Sequence, residues 1–196
     1  MVLRPTRRLS YGFIRNRGDI MDALLVIDLQ RGMFADPAMP PFDGDAVVRR
    51  SIGLIAAARA AGRTVLFVQH DGGAGDVLAA DGPGFALHPA LVPAPDDPIL
   101  VKCFCSAFQD TPVAALLAAR AVKKIAVCGM QTEYCIDTTC RAAFERGFSV
   151  TLASDAHTTF DSQALAAPAI IRHHNATLAN AGFVTLEQAA DLRFAG

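Results

Sequence analysis

Apolar residues in this chain come in short unbroken runs rather than in strict alternation. Ala23-Leu24-Leu25-Val26-Ile27, Thr64-Val65-Leu66-Phe67-Val68, Ile99-Leu100-Val101, Lys124-Ile125-Ala126-Val127-Cys128, Ser149-Val150-Thr151-Leu152-Ala153 and Phe183-Val184-Thr185 all have this form. Strands covered on both faces read this way. Between them the apolar period lengthens to that of a helix over Asp45 to Ala61, Pro112 to Ala121, Thr132 to Arg146 and Ser162 to Asn180. Gly62 and Gly182 serve as stops and Pro112 as a first-turn residue. The Gly/Pro/Asp-rich stretch from Asp71 to Pro98 reads as an ordered loop at a functional site rather than as a linker. Repeated strand–helix units predict an α/β fold: three layers, α/β/α, around a mostly parallel six-stranded sheet. Such sheets carry their sites beyond the carboxyl ends of the strands, where the winding reverses. The residues directly after each strand are therefore the ones to inspect.

Charge narrows the partners. Lys+Arg number 18 and Asp+Glu 19, so no global field points to nucleic acid or to a charged membrane surface. The hydrophobic fraction of 52% owes much to helical alanine, and charges interrupt every apolar run before it could span a bilayer. Five cysteines (103, 105, 128, 135 and 140), with no long apolar leader ahead of them, fit reduced thiols in the cytoplasm. Cys103-Phe104-Cys105 alternates like a strand, which would send its two sulfurs to opposite faces. Residues 1–20 differ from the rest. Arg4, Arg7, Arg8, Arg15 and Arg17 face only Asp19, and the segment reads as a disordered basic extension ahead of a domain over 21–196, or as sequence upstream of a true start at Met21.

Three strand ends carry chemistry. Cys135 follows the fourth run across Gly129-Met130-Gln131-Thr132-Glu133-Tyr134, which places it in or near the first turn of a helix. Unpaired N–H groups there would ease loss of the thiol proton and could also hold an oxyanion. A packed, inert cysteine fits the same position. Asp28 ends the first run, as a base or as a turn former; Lys102 ends the third, as a charge partner of Asp28 or as a solvated surface charge. A carboxylate, an ammonium and a thiol on three neighbouring strand ends is the set that an activated nucleophile needs.

From Met21 to Leu186 the chain resembles the isochorismatase-like cysteine hydrolases. Leu25-Val26-Ile27-Asp28-Leu29-Gln30, Val101-Lys102 leading to Ser106-Ala107-Phe108, Gly129 to Cys135, and Ser154-Asp155-Ala156 carry the likeness. The resemblance implies a Rossmann-like hydrolase fold with Asp28, Lys102 and Cys135 as catalytic triad. It also implies a cis peptide between Met130 and Gln131, and an oxyanion hole from the N–H groups of Gln131 and Cys135. The activity implied is hydrolysis of a small amide, carbamoyl or related C–N substrate through a thioester. The alternatives are enol-ether cleavage of the isochorismatase type and a non-catalytic scaffold of the same fold. Members often form homodimers or homotetramers.

Nicotinamidases of this family place Asp-x-His and a further His after the second strand to hold a metal. Here Gln69-His70-Asp71 is followed by no histidine until His88, so neither metal nor other cofactor is expected. Phe34, His70, Phe108 and Tyr134 are candidate pocket residues, each equally readable as core. Asp155 and Asp161 read as turn or cap residues, and His173-His174, adjacent in mid-helix, cannot put both rings on one face.

Overall fold

The apolar runs pair into one sheet whose polar tails all lie at the same edge. The structure, a computed structural model, describes residues 19–194. The strands are β1 (Ala23–Ile27), β2 (Thr64–His70), β3 (Ile99–Lys102), β4 (Lys124–Met130), β5 (Ser149–Thr158) and β6 (Thr185–Glu187). They lie in the order β3-β2-β1-β4-β5-β6, and every pairing is parallel. The chain winds outward through β2 and β3, returns, and winds the other way through β5 and β6. The reversal lies between β1 and β4.

Parallel strands need crossovers, and their helices divide between the two faces. Leu24 and Val26 of β1 pack with Val47, Leu54, Ile55 and Ala58 of α1 (Gly44–Ala60). On the other face Ala23, Leu25 and Ile27 pack with α2 (Val113–Ala119), α3 (Asp137–Glu145) and α4 (Ala167–Asn180) through Leu117, Cys140 and Leu178. All five β1 residues are buried, and each of Leu24, Leu25, Val26 and Ile27 contributes about 1.5–3 kcal/mol by leaving water. These are the three layers expected.

The differences from expectation fall mostly at the polar ends. β2, β4 and β5 outrun their apolar cores because the ladder continues, with His70 opposite Lys102 and Met130 opposite Thr158. The helix expected from Thr132 opens as a single π-helical turn, Thr132–Ile136, that runs into α3. The helix expected from Ser162 begins at Ala167, because Asp161 Oδ1 accepts the Ala167 N–H at 2.7 Å and the residues between form its capping loop. Asp155 Oδ1 likewise accepts the Ala189 N–H at 2.7 Å. Cys103-Phe104-Cys105 is a bend rather than strand, and both thiols are exposed. Most of the expected basic extension lies outside the described residues. Its last two residues join the fold: Asp19 pairs with Lys124 at 3.0 Å and Ile20 bridges to Arg193. Among the described residues no helix is long and apolar enough to cross a membrane.

Candidate active site

Asp28 is the first residue past β1, Lys102 the last of β3, and Cys135 sits in the π-turn after β4. Asp28 adopts a left-handed backbone, φ 49°, while its N–H still bonds Val68 O at 2.9 Å, so the chain turns sharply where the ladder ends. Aspartate tolerates that region better than most residues. The π-turn is set by close contact of backbones. Gly129 lies opposite Ile27 with φ 126°, and a Cβ there would come within 2.0 Å of Ile27 O. Gly129→Ala is therefore expected to cost about 3 kcal/mol or more, through both strain and displacement of a central strand. Denaturant titration beside the wild type checks this; a loss under about 1 kcal/mol contradicts it. The Met130–Gln131 peptide is cis.

The three side chains meet in the interior. Lys102 Nζ donates to Asp28 Oδ2 at 2.6 Å and to Cys135 Sγ at 3.1 Å, and lies 3.3 Å from His70 Nδ1. An ammonium has three hydrogens and no lone pair. His70 Nδ1 is then an acceptor and its Nε2 carries the ring proton. Asp28 and Lys102 are all but fully buried, and Asp28 Oδ1 has no hydrogen-bond partner among the described residues. A buried carboxylate oxygen left open is a place to receive a proton or a water.

The charges settle differently from the sequence expectation. Burial raises the Cys135 thiol well above the ordinary cysteine value, the Asp28 carboxylate beside it adds to the rise, and Lys102 only partly opposes. The easier loss of the thiol proton expected at a helix start is thus outweighed: the helical N–H groups lie in a dry site next to a negative charge. Burial also lifts Asp28 above the usual carboxylate range against the pull of Lys102, which makes it a stronger base. Burial disfavours the charged form of Lys102, but its ion pair with Asp28 outweighs this and raises its pKa. His70 is lowered by burial and by the adjacent Lys102.

The other expected pocket residues part company. Phe34 is half-buried and meets His88 edge-on, centroids 4.8 Å apart, in the wall of a cavity of about 540 Å³ at the amino end of α1. Phe108 belongs to the core beneath the sheet, stacked on Phe148 at 5.8 Å. Tyr134 is 55% exposed, because the π-turn points it to solvent. Phe108 thus packs inward while Tyr134 faces outward. His174 Nδ1 lies 3.0 Å from Asp137 Oδ1, which also accepts from Arg141 Nη2 at 3.1 Å. Among the described residues no group of three or more His, Cys, Asp and Glu is placed to hold a metal.

Two buried polar groups were not singled out by sequence reasoning. Gln30 ties the end of β1 to its neighbours: Nε2 donates to the carbonyls of His70 at 3.0 Å and Phe85 at 2.9 Å, and Oε1 accepts the His70 N–H at 2.7 Å. A glutamine in the motif directly after a buried strand was the available signal. His157 near the end of β5 is 2% exposed, with Nδ1 2.9 Å from Thr132 Oγ1 and Nε2 2.9 Å from Asn175 Oδ1. It was missed because the apolar run stops at Ala153. Burial pushes His157 down to about 4. The unfolded chain, with a histidine near 6.5, then binds the proton that the folded one refuses. Stability should fall as pH drops from about 6.5 to about 4, by about 3 kcal/mol in all for this group. Urea midpoints at several pH values, with the slope flattened in His157→Asn, check this; equal slopes contradict it.

Comparison with known proteins places the chain in a family. The isochorismatase domain family matches residues 22–182. A streptothricin hydrolase of Streptomyces noursei is 40% identical over 141 residues, 72% of this chain and 51% of that protein. The chain thus spans about half the length of that relative. A ureidoacrylate amidohydrolase of Methylorubrum extorquens is 31% identical, covering 68% of each chain. A cysteine hydrolase from Pseudomonas syringae pv. phaseolicola superposes with a TM-score of 0.82 at 28% identity, over 93% of this chain and 96% of that one. With the family match covering most of its length, and the fold shared from end to end of a solved relative, the chain belongs to the isochorismatase family.

Proposed function

We propose that this chain is a cysteine hydrolase of small amides, carbamoyl compounds or related C–N substrates, acting through a thioester on Cys135. The observation that carries the reading is the buried contact of Asp28, Lys102 and Cys135, with one oxygen of Asp28 left open. Similarity to proteins named streptothricin hydrolase and ureidoacrylate amidohydrolase supports C–N cleavage as the class.

Each group has a defined task. Asp28 takes the thiol proton as Sγ attacks the carbonyl carbon, and the π pair moves to the oxygen. The N–H groups of Gln131 and Cys135 receive that oxyanion. Lys102 keeps the summed charge near neutral as negative charge passes from carboxylate to sulfur and oxygen. Collapse breaks the C–N bond, and the leaving amine takes the proton held by Asp28. Water then gives a proton to Asp28 and attacks the thioester. The second collapse breaks the C–S bond, and the thiolate regains its proton from Asp28. The raised pKa of Asp28 suits both proton transfers. His70, its Nδ1 facing Lys102, would have Nε2–H to donate to a substrate acceptor.

The test is ammonia or amine release from a panel of small amides, ureido compounds and nicotinamide, with and without chelator. Turnover of a C–N substrate unaffected by chelator is expected. Pyruvate release from isochorismate with no amide turnover would replace this reading by enol-ether hydrolysis. Silence on every compound would leave a binding protein of the same fold.

A further inference from the structure

Two family-like stretches, Gly129–Cys135 and Ser154–Ala156, lie at the carboxyl edge of the sheet, at the ends of the adjacent strands β4 and β5. A line of side chains joins them. Pairing between β4 and β5 jumps: Val127 faces Leu152, yet Gly129 already faces His157. The extra β5 residues bulge out, and that bulge is anchored. Ser154 Oγ donates to Glu187 O at 3.1 Å, and Arg50 pairs with Asp155 at 3.2 Å. The shift sets the His157 ring beside the start of the π-turn.

The line has a fixed direction. Asn175 Nδ2 donates to Ser154 O at 3.3 Å, which turns Asn175 Oδ1 toward His157 Nε2. An amide oxygen only accepts, so Nε2 carries the proton. Burial keeps the ring neutral, so Nδ1 is bare and accepts from the Thr132 hydroxyl at 2.9 Å. Thr132 is fully buried and stands between Gln131 and Cys135, whose N–H groups are to hold the oxyanion.

We propose that His157, oriented by Asn175, is a positioning residue that locks the nucleophile-bearing turn through the Thr132 hydroxyl. It touches neither substrate nor Cys135. Its work is to refuse Thr132 any other rotamer, and so to hold the two N–H groups on one point. Such supporting contacts matter because displacing a reactive group by about 1 Å costs on the order of a hundredfold in rate. The kinetic consequence rests on the amide-hydrolase reading; the positioning itself does not.

Two substitutions separate the two ends of the ring. In His157→Asn the amide oxygen stands near the place of Nδ1 and still accepts from Thr132. In His157→Gln the amide nitrogen stands near the place of Nε2, keeps Asn175 satisfied, and leaves Thr132 without its acceptor. Thr132→Val removes the donor, and Thr132→Ser retains it. On an amide that the wild type cleaves, His157→Gln and Thr132→Val should lower kcat about tenfold or more with KM within about threefold, while His157→Asn and Thr132→Ser fall less. In a ¹H–¹⁵N spectrum the amides of Gln131 to Cys135 should move in His157→Gln and Thr132→Val and move less in His157→Asn. The imidazole nitrogens of the wild type should report Nε2–H.

Equal losses in His157→Asn and His157→Gln that follow the loss of melting temperature would reduce the ring to core packing and overturn the proposal. So would an Nδ1–H tautomer. If the wild type cleaves no amide, the amide-hydrolase reading fails. The proposal is then decided by the Gln131–Cys135 amide shifts alone.

Discussion

Under the proposed thioester route, Cys135→Ala is expected to abolish C–N hydrolysis, lowering kcat/KM on the order of 10⁴-fold or more, while the protein stays folded. The size follows from the route. Without Sγ there is no thioester, and Asp28 and the N–H groups can assist only direct attack by water. Loss of stability should be small, about 1 kcal/mol, because the side chain is short and alanine fills most of its volume. Cys135→Ser should be nearly as inactive. A hydroxyl is a harder group to deprotonate than a thiol, and the burial and adjacent carboxylate that already raise the thiol would penalise an alkoxide further. Intact mass of wild type quenched during turnover should show an acyl adduct on Cys135, absent from both variants. A Cys135→Ala enzyme retaining more than about a tenth of wild-type activity would put the nucleophile elsewhere.

The pH response follows from the same pKa pattern. Because the resting thiol is neutral rather than ionised, alkylation of Cys135 should be slow near neutrality and should not outpace the exposed Cys103 and Cys105. On the proposed route, activity then depends on proton transfer to Asp28 during attack rather than on a standing thiolate.

What could be read in advance depended on scale. The apolar runs located the strands, since a strand buried on both faces cannot conceal itself in sequence, and the polar residue ending each run marked Asp28 and Lys102. Their meeting at 2.6 Å follows from parallel strands brought into register. The thiol's ionisation was misjudged because a helix start was weighed without the burial that accompanies it. The ends of β4 and β5 were cut short because Gly129-Met130 and Asp155 to Thr158 carry little apolar pattern, although their backbone pairing continues. His157 was lost with that tail. Phe108 and Tyr134 were placed by proximity in sequence, which does not say which side of a turn a ring takes; one went inward and the other to solvent.

Lys102→Met should be the most damaging single change to the fold at this site. Lys102 supplies the only cation within bonding distance of Asp28 among the described residues, and both side chains are fully buried. Removing the ammonium leaves a carboxylate in a dry interior, and breaking a buried pair from one side costs about 3–5 kcal/mol. The sign of the pH dependence identifies the cause. In the variant the Asp28 pKa is raised further above that of the unfolded chain, so the contribution is fully present below the unfolded value and is lost as pH rises through the folded one. The deficit should therefore shrink toward acid. Asp28→Asn should show the mirror image. Its buried ammonium, without the carboxylate, has a lowered pKa, and the deficit shrinks toward alkali. Both variants should be inactive, one for want of charge balance and the other for want of a base. The double variant Asp28→Asn, Lys102→Met removes both charges and should recover much of the stability but none of the activity. Denaturant titrations of all four proteins at pH 5, 7 and 9 decide the matter. Single variants within about 1 kcal/mol of wild type, with no opposed pH trends, would mean that the pair is not the buried ion pair that the mechanism requires.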